Sequence, residues 1–305
     1  MFTPSVSKGM KKISHLLLLA LLALAAACQS DDTQAPAYLR IEAVTLQHGT
    51  DAQWVHKDDG FVSSLVDAVN IRYYNQGDTA WTNLGAFQLP CQLPVLGCTT
   101  IDTMVIEPVV KLNGISATRA YYTFYKEITF GHLTLHPDQV LNLDTLHTTY
   151  KSSNTVHVAW EEYFHPVTSP KLDSVVRTFT NRDTALTGGG CGVIRVGSDQ
   201  KTLNFWSHDS LVVRDHQILY LEMDYWTDFD LSVGFNNPMA TGGSNQINSA
   251  MTLYRNHGWQ KIYISLGSLW SFYSYYPYLR LYFSILNNEG REGNVFIDNL
   301  KVVYM

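Results

Sequence analysis

Apolar side chains recur at every second position through most of this chain, and no window holds a sustained helical stripe capped at both ends. A strand turns successive side chains to opposite faces, so this alternation predicts half-buried sheets and an all-β fold. In the first half Val69, Ile71 and Tyr73 alternate with Asn70, Arg72 and Tyr74. The turn set Asn75-Gln76-Gly77-Asp78 and a second run from Trp81 to Leu89 complete a predicted hairpin. Met104 and Ile106 mark another strand, and Asn113-Gly114 marks a tight turn. Tyr121 to Phe130 is an aromatic, β-prone run, and Leu133, Leu135, Leu141 and Leu143 close the set. This density of short strands predicts an immunoglobulin-like β-sandwich over residues 37–150.

The polar segment from Lys151 to Thr155 separates that half from a second, over residues 156–305. There Leu219, Leu221, Met223 and Tyr225 share one strand face, as do Leu231, Val233 and Phe235. Ile262, Ile264 and Leu266 follow, then Leu279, Leu281, Phe283 and Ile285. In the last strand the apolar phase moves from Val295 and Ile297 to Leu300 and Val302, which predicts a bulge near Asp298 and Asn299. No internal repeat points to a propeller or solenoid.

The N-terminus follows another plan. Lys11 and Lys12 precede the apolar run from Leu16 to Leu24, then Ala25, Ala26, Ala27 and Cys28, so residues 1–27 read as a signal peptide. Met10 makes a more ordinary start for such a signal than Met1. The small residues before a cysteine resemble the lipobox of bacterial lipoproteins. That resemblance implies acylation of Cys28, with palmitate among its chains, and an anchor in the outer membrane. Burial of about 0.8 kcal/mol per CH₂ over more than one chain makes such anchoring stable. Residues 28–36 read as a tether. Asp31 and Asp32 resemble the export signal of gram-negative lipoproteins carried to the cell surface, and read equally as solvated linker.

Acids outnumber Lys and Arg by 27 to 21, which leaves no positive surplus for a nucleic-acid partner. An oxidising compartment allows Cys91 and Cys98 to pair across a turn made by Pro94 and Gly97. Cys191 remains, as a buried or a reactive thiol. No Walker loop, Gly-x-Ser-x-Gly elbow or His-Glu-x-x-His helix is present. Gly188 to Gly192 read as a bulged loop. Glu161 with Glu162, and Asp224 with Asp228 and Asp230, are carboxylates of the kind glycosidases pair, though neighbours on a strand point apart.

Trp160-Glu161-Glu162-Tyr163-Phe164, with the closing run from Phe296 to Tyr304, resembles the frame of galactose-binding-like jelly rolls and carbohydrate-binding modules. The resemblance implies a jelly roll over residues 156–305 and a structural calcium, for which Glu161 or Glu162 and Asp298 would be ligands. In the first half Phe87-Gln88-Leu89-Pro90, Pro94-Val95-Leu96 and Asn113 to Ala120 resemble a group of uncharacterised two-domain outer-membrane lipoproteins. That group has no cysteines at the places of Cys91 and Cys98. Aromatics crowd Trp270 to Tyr278 too densely for one strand face, so Trp270, Tyr273, Tyr275 and Tyr276, with Trp226, are candidate ligand contacts for a sugar ring. A protein contact and plain core packing explain the same crowding. The resulting expectation is a non-catalytic, lipid-anchored binding or scaffolding protein without an organic cofactor. Its partner would be a glycan or an outer-membrane protein. An accessory subunit of an assembly or transport machine, and a carbohydrate-active enzyme of unrecognised type, stay open.

Overall fold

A computed structural model describes residues 35–47, 63–96, 100–164, 169–178, 190–213, 218–237, 246–273 and 279–305. The fold is all β, as the alternation requires. The first half carries β1 (Ala37–Ile41), β2 (Ala43–Leu46), β3 (Ala68–Tyr74), β4 (Thr82–Gln88), β5 (Cys91–Val95), β6 (Thr100–Lys111), β7 (Arg119–Tyr121), β8 (Ile128–Thr134), β9 (Val140–Asn142) and β10 (Thr145–Thr148). The second carries β11 (His157–Glu162), β12 (Val176–Thr178), β13 (Cys191–Val196), β14 (Thr202–Trp206), β15 (Leu219–Thr227), β16 (Asp230–Asn237), β17 (Gln246–Leu253), β18 (Gln260–Ser265), the short helix α1 (Gly267–Tyr273), β19 (Arg280–Leu286) and β20 (Gly293–Tyr304).

In the first half a five-stranded sheet, β4-β3-β6-β7 with β8 also on β6, faces smaller sheets built on β1 and β2. The expected hairpin is β3 with β4. In the second half β12-β13-β20-β15-β18, with β11 also on β20, packs over β14-β19-β16-β17. The apolar faces named from sequence on β15, β16, β18, β19 and β20 all enter the core between these two sheets. The expected bulge is present. Glu222 pairs with Lys301 and Asp224 with Asp298, so β20 spends one residue more than β15, and Asn299 takes a φ of 49°. Asparagine tolerates that conformation better than most residues.

Other expectations are corrected. The run from Tyr121 to Phe130 is not one strand. It breaks after Tyr121 into a turn closed by the Tyr125 N–H on the Tyr122 carbonyl, and resumes at Ile128. The break turns Tyr122, Phe124 and Tyr125 into the interior, which a continuous strand would not allow. Glu162, named with Glu161 as a candidate acid, spends its carboxylate inside the protein, where it is buried and accepts the backbone N–H groups of Phe164, at 2.6 Å, and Lys171, at 2.5 Å. Gly192, from the glycine cluster, lies in β13, where a Cβ would collide with the Phe164 ring. Cys91 is a free thiol, and Cys98 lies outside the described residues.

Candidate functional site

Strand β15 has two buried faces of opposite character. Leu219, Leu221, Met223 and Tyr225 point into the apolar core. Tyr220, Glu222 and Asp224 alternate with them and face the first half of the chain. A cross-strand row runs Tyr263, Glu222, Lys301, Glu161 over β18, β15, β20 and β11. Glu222 is 1% exposed, and its two oxygens accept the hydroxyls of Tyr122 and Tyr150, each at 2.6 Å. Both tyrosines come from the first half. Lys301 Nζ donates to the Tyr150 hydroxyl at 3.1 Å and lies 4.5 Å from the centre of that ring. The hydroxyls of Tyr125 and Tyr263 meet at 3.1 Å, and Tyr263 also accepts the Leu65 N–H. A buried carboxylate is tolerated only when its charge and lone pairs are met, and here both are.

The electrostatics follow from that burial. Desolvation lowers the Lys301 ammonium to about 8, against the pull of Glu222 and Glu161 in the other direction. Burial first, and the Glu222 charge next, hold the Tyr122 and Tyr150 hydroxyls well above the ordinary phenol range. The turn Asn113-Gly114, with φ of 55° and 69°, clips the same seam. Asn113 N–H donates to the Tyr263 carbonyl and its side-chain oxygen accepts Ser265 N–H, so the turn covers backbone groups that the β18 edge would leave bare.

Beside this clip a cleft of about 830 Å³ opens between the halves. Ser63, Leu65, Asp67, Lys111 and Ile115 line it from the first half; Asp224, Tyr254, Asn256, Trp259 and Lys261 are among those lining it from the second. Three exposed apolar side chains gather there: Leu65, Ile115 and Tyr254, the last 74% exposed. Scattered single apolar residues are ordinary on a surface, but several around one concavity mark a binding place. Every charged wall group has a counter-charge. Asp67 Oδ2 meets Arg119 at 2.8 Å and Lys111 at 3.2 Å, Lys261 lies 3.7 Å from Asp224, and Arg255 lies 3.2 Å from Glu289. Two polar atoms do not have partners: Asp67 Oδ1, an acceptor, and Trp259 Nε1, a donor. Both atoms have almost no exposed surface, so the wall itself encloses them.

The residues singled out from sequence lie elsewhere. Trp270 is core, 4% exposed and edge-on to Phe235 at 5.6 Å, so it offers no face to a ligand. Trp226 packs across the sheet on Phe296 at 5.7 Å and does not line the cleft, although its neighbour Tyr225 does. Tyr275, Tyr276, the Tyr273 side chain and Cys28 lie outside the described residues. Glu161 does face the closing strand, but opposite Lys301, with its carboxylate accepting the Tyr163 hydroxyl at 3.2 Å. Asp298 is buried and accepts the Asn299 N–H at 2.8 Å. The described residues gather no group of three His, Cys, Asp or Glu side chains that could hold a metal. Among the glycosidase-like acids Asp224 is ion-paired and Asp228 accepts the Asn294 N–H. Sequence reasoning passed over Tyr254 to Gln260, whose mix of aromatic, amide and guanidinium groups between two strands was the available signal.

No family model and no curated protein matches this chain. Solved structures similar to it include a mutant of a family 29 carbohydrate-binding module, at 10% identity over 50% of this chain and 91% of that one, with a TM-score of 0.31. A family 61 module in complex with β-1,4-galactotriose matches at 10% identity over 42% and 81%, with a TM-score of 0.29. A structure described under carbohydrate-binding modules of the β-sandwich superfamily matches at 11% identity over 89% and 99%, with a TM-score of 0.32. At scores this low, the reading of the cleft rests on its own geometry.

Proposed function

We propose that this chain is a non-catalytic binding protein of the cell envelope that holds a carbohydrate in the cleft between residues 37–150 and 156–305, treated as two units. The observation that carries the reading is the cleft itself, where exposed apolar and aromatic side chains stand beside amide and charged groups on its walls. Sugars present apolar C–H faces and polar edges together, which is the complement of that surface. Lipid attachment at Cys28 supplies the tether to the outer membrane in this reading. No helix among the described residues is long and apolar enough to cross a membrane.

A glycan array probed with the full chain tests the binding. Signal is expected for wild type, and its loss for Trp259→Ala and Tyr254→Ala. Undiminished signal from both variants moves the site away from the cleft, and silence from wild type ends the carbohydrate reading. The tether is tested separately, by palmitate labelling that Cys28→Ser abolishes together with membrane fractionation.

A further inference from the structure

On the reading that the cleft holds a carbohydrate, as proposed above, we infer that the ligand is an extended neutral glycan whose chain runs on from the cleft, past Arg255, into a second and smaller concavity. That concavity, of about 240 Å³, is lined by Asp228, Asp230, Leu286, Asn288 and Arg291 among others. Ligand pockets usually measure about 300–1,000 Å³, so it is small for a site of its own and suits the continuation of one. Three observations join the two spaces. Arg255 lines both. Asn256, on the cleft wall, donates its backbone N–H to the Thr227 carbonyl at 3.0 Å and accepts the Thr227 N–H on its side-chain oxygen at 2.8 Å, and Thr227 leads directly into Asp228. In the sheet Asp230 pairs with Leu286 across β16 and β19, and Leu231 pairs with Leu253 across β16 and β17, so Tyr254 follows the last pair at the end where Asp230 stands. Neighbouring strands lie about 4.8 Å apart, which sets Tyr254, Asp230 and Leu286 at three adjacent strand ends.

The groups along this path are open to a ligand. Tyr254 and Leu286 are exposed and offer apolar surface to the C–H faces of successive rings. Asp230 is half-buried, its carboxylate has no hydrogen-bonding or charged partner among the described residues, and its oxygens are not among the enclosed polar atoms. Glu289 lies 3.2 Å from Arg255 and 2.8 Å from Arg291, which steadies the Arg255 guanidinium and leaves most of its N–H donors for sugar hydroxyls. A neutral chain is favoured over an acidic one, because Asp230 carries an unmatched negative charge and acids exceed Lys and Arg by 27 to 21.

Calorimetric titration of the full chain with β-1,4-linked gluco-, manno- and galacto-oligosaccharides, from disaccharide to hexasaccharide, tests the path, with oligogalacturonate as the acidic arm. In the series that binds, affinity is expected to rise about tenfold or more from disaccharide to hexasaccharide. Asp230→Ala and Leu286→Ser are each expected to weaken the hexasaccharide about five- to tenfold, leave the disaccharide as it was, and keep the melting midpoint. Tyr254→Ala, in the cleft, should weaken both lengths. If one of the two second-concavity variants lowers the midpoint, the other and Asn288→Ala carry the comparison. Affinity independent of length, or hexasaccharide binding that these variants leave intact while Tyr254→Ala reduces it, overturns the extended path and keeps the cleft. Equal loss at every length overturns it too. Tighter binding of oligogalacturonate than of the neutral hexasaccharide overturns the neutral assignment, and no binding of any probe overturns both this inference and the carbohydrate reading.

Discussion

The two faces of β15 bury comparable strand surface by different physics. On the core side Leu219, Leu221 and Met223 meet Ile and Phe side chains, where shape and removal from water suffice. On the seam side Glu222 and Asp224 are just as inaccessible, yet each is held only because tyrosines, lysines and an asparagine reach it. An apolar contact tolerates a small shift, whereas a buried carboxylate does not. The seam therefore demands a defined alignment of the two halves, and the cleft beside it inherits that alignment.

The comparison can be broken most severely by truncation. Phe283→Ala in the core is expected to cost about 3–5 kcal/mol, through lost contacts and a cavity. Glu222→Ala should cost a similar ~3–5 kcal/mol for a different reason, since it strands Lys301 and two tyrosine hydroxyls. Denaturant unfolding of both variants checks this, and a cost below ~1 kcal/mol for Glu222→Ala would show the seam to be passive. Glu222→Gln, which keeps the shape and removes the charge, should fall lower, at about 1–3 kcal/mol.

Proton linkage sharpens the contrast further, because the one titratable side chain that β15 turns to the core is the Tyr225 phenol, which burial raises. Lys301 sits at about 8 in the fold against 10.5 outside it, its burial being the first cause. Between those values the unfolded chain binds more protons than the folded one, so its contribution to stability rises with pH from about 8 to 10.5. The midpoint of wild type relative to Lys301→Met should climb across that window, and a constant difference would sink the assignment. Tyr122 and Tyr150 act in the opposite direction above pH 10, where the unfolded chain sheds phenolic protons first. The smallest effect is expected at the exposed pair Arg255–Glu289, where Glu289→Gln should change stability by no more than ~1 kcal/mol.

Much of the strand plan was legible in the sequence. The β3–β4 hairpin followed from alternation and its turn residues, and the β20 bulge from one shift of apolar phase, since both are recorded within a few consecutive positions. The same local logic failed at Tyr122 to Tyr125, where β-prone aromatics were drawn into the seam. At the aromatic run, where ligand contact and core packing both stayed open, Trp270 lies in the core while Phe272 is exposed, a division that crowding alone does not record.

What the chain determines by itself is therefore its period: which residues make strands, where strands turn, and which face of each is apolar, because these depend on backbone geometry and near neighbours. Only the tertiary structure decided the fate of the polar faces. Whether Glu222 is solvated or buried, and whether Asp67 and Trp259 share a cleft, depends on partners 72, 100 and 192 positions away that meet only when the two halves dock.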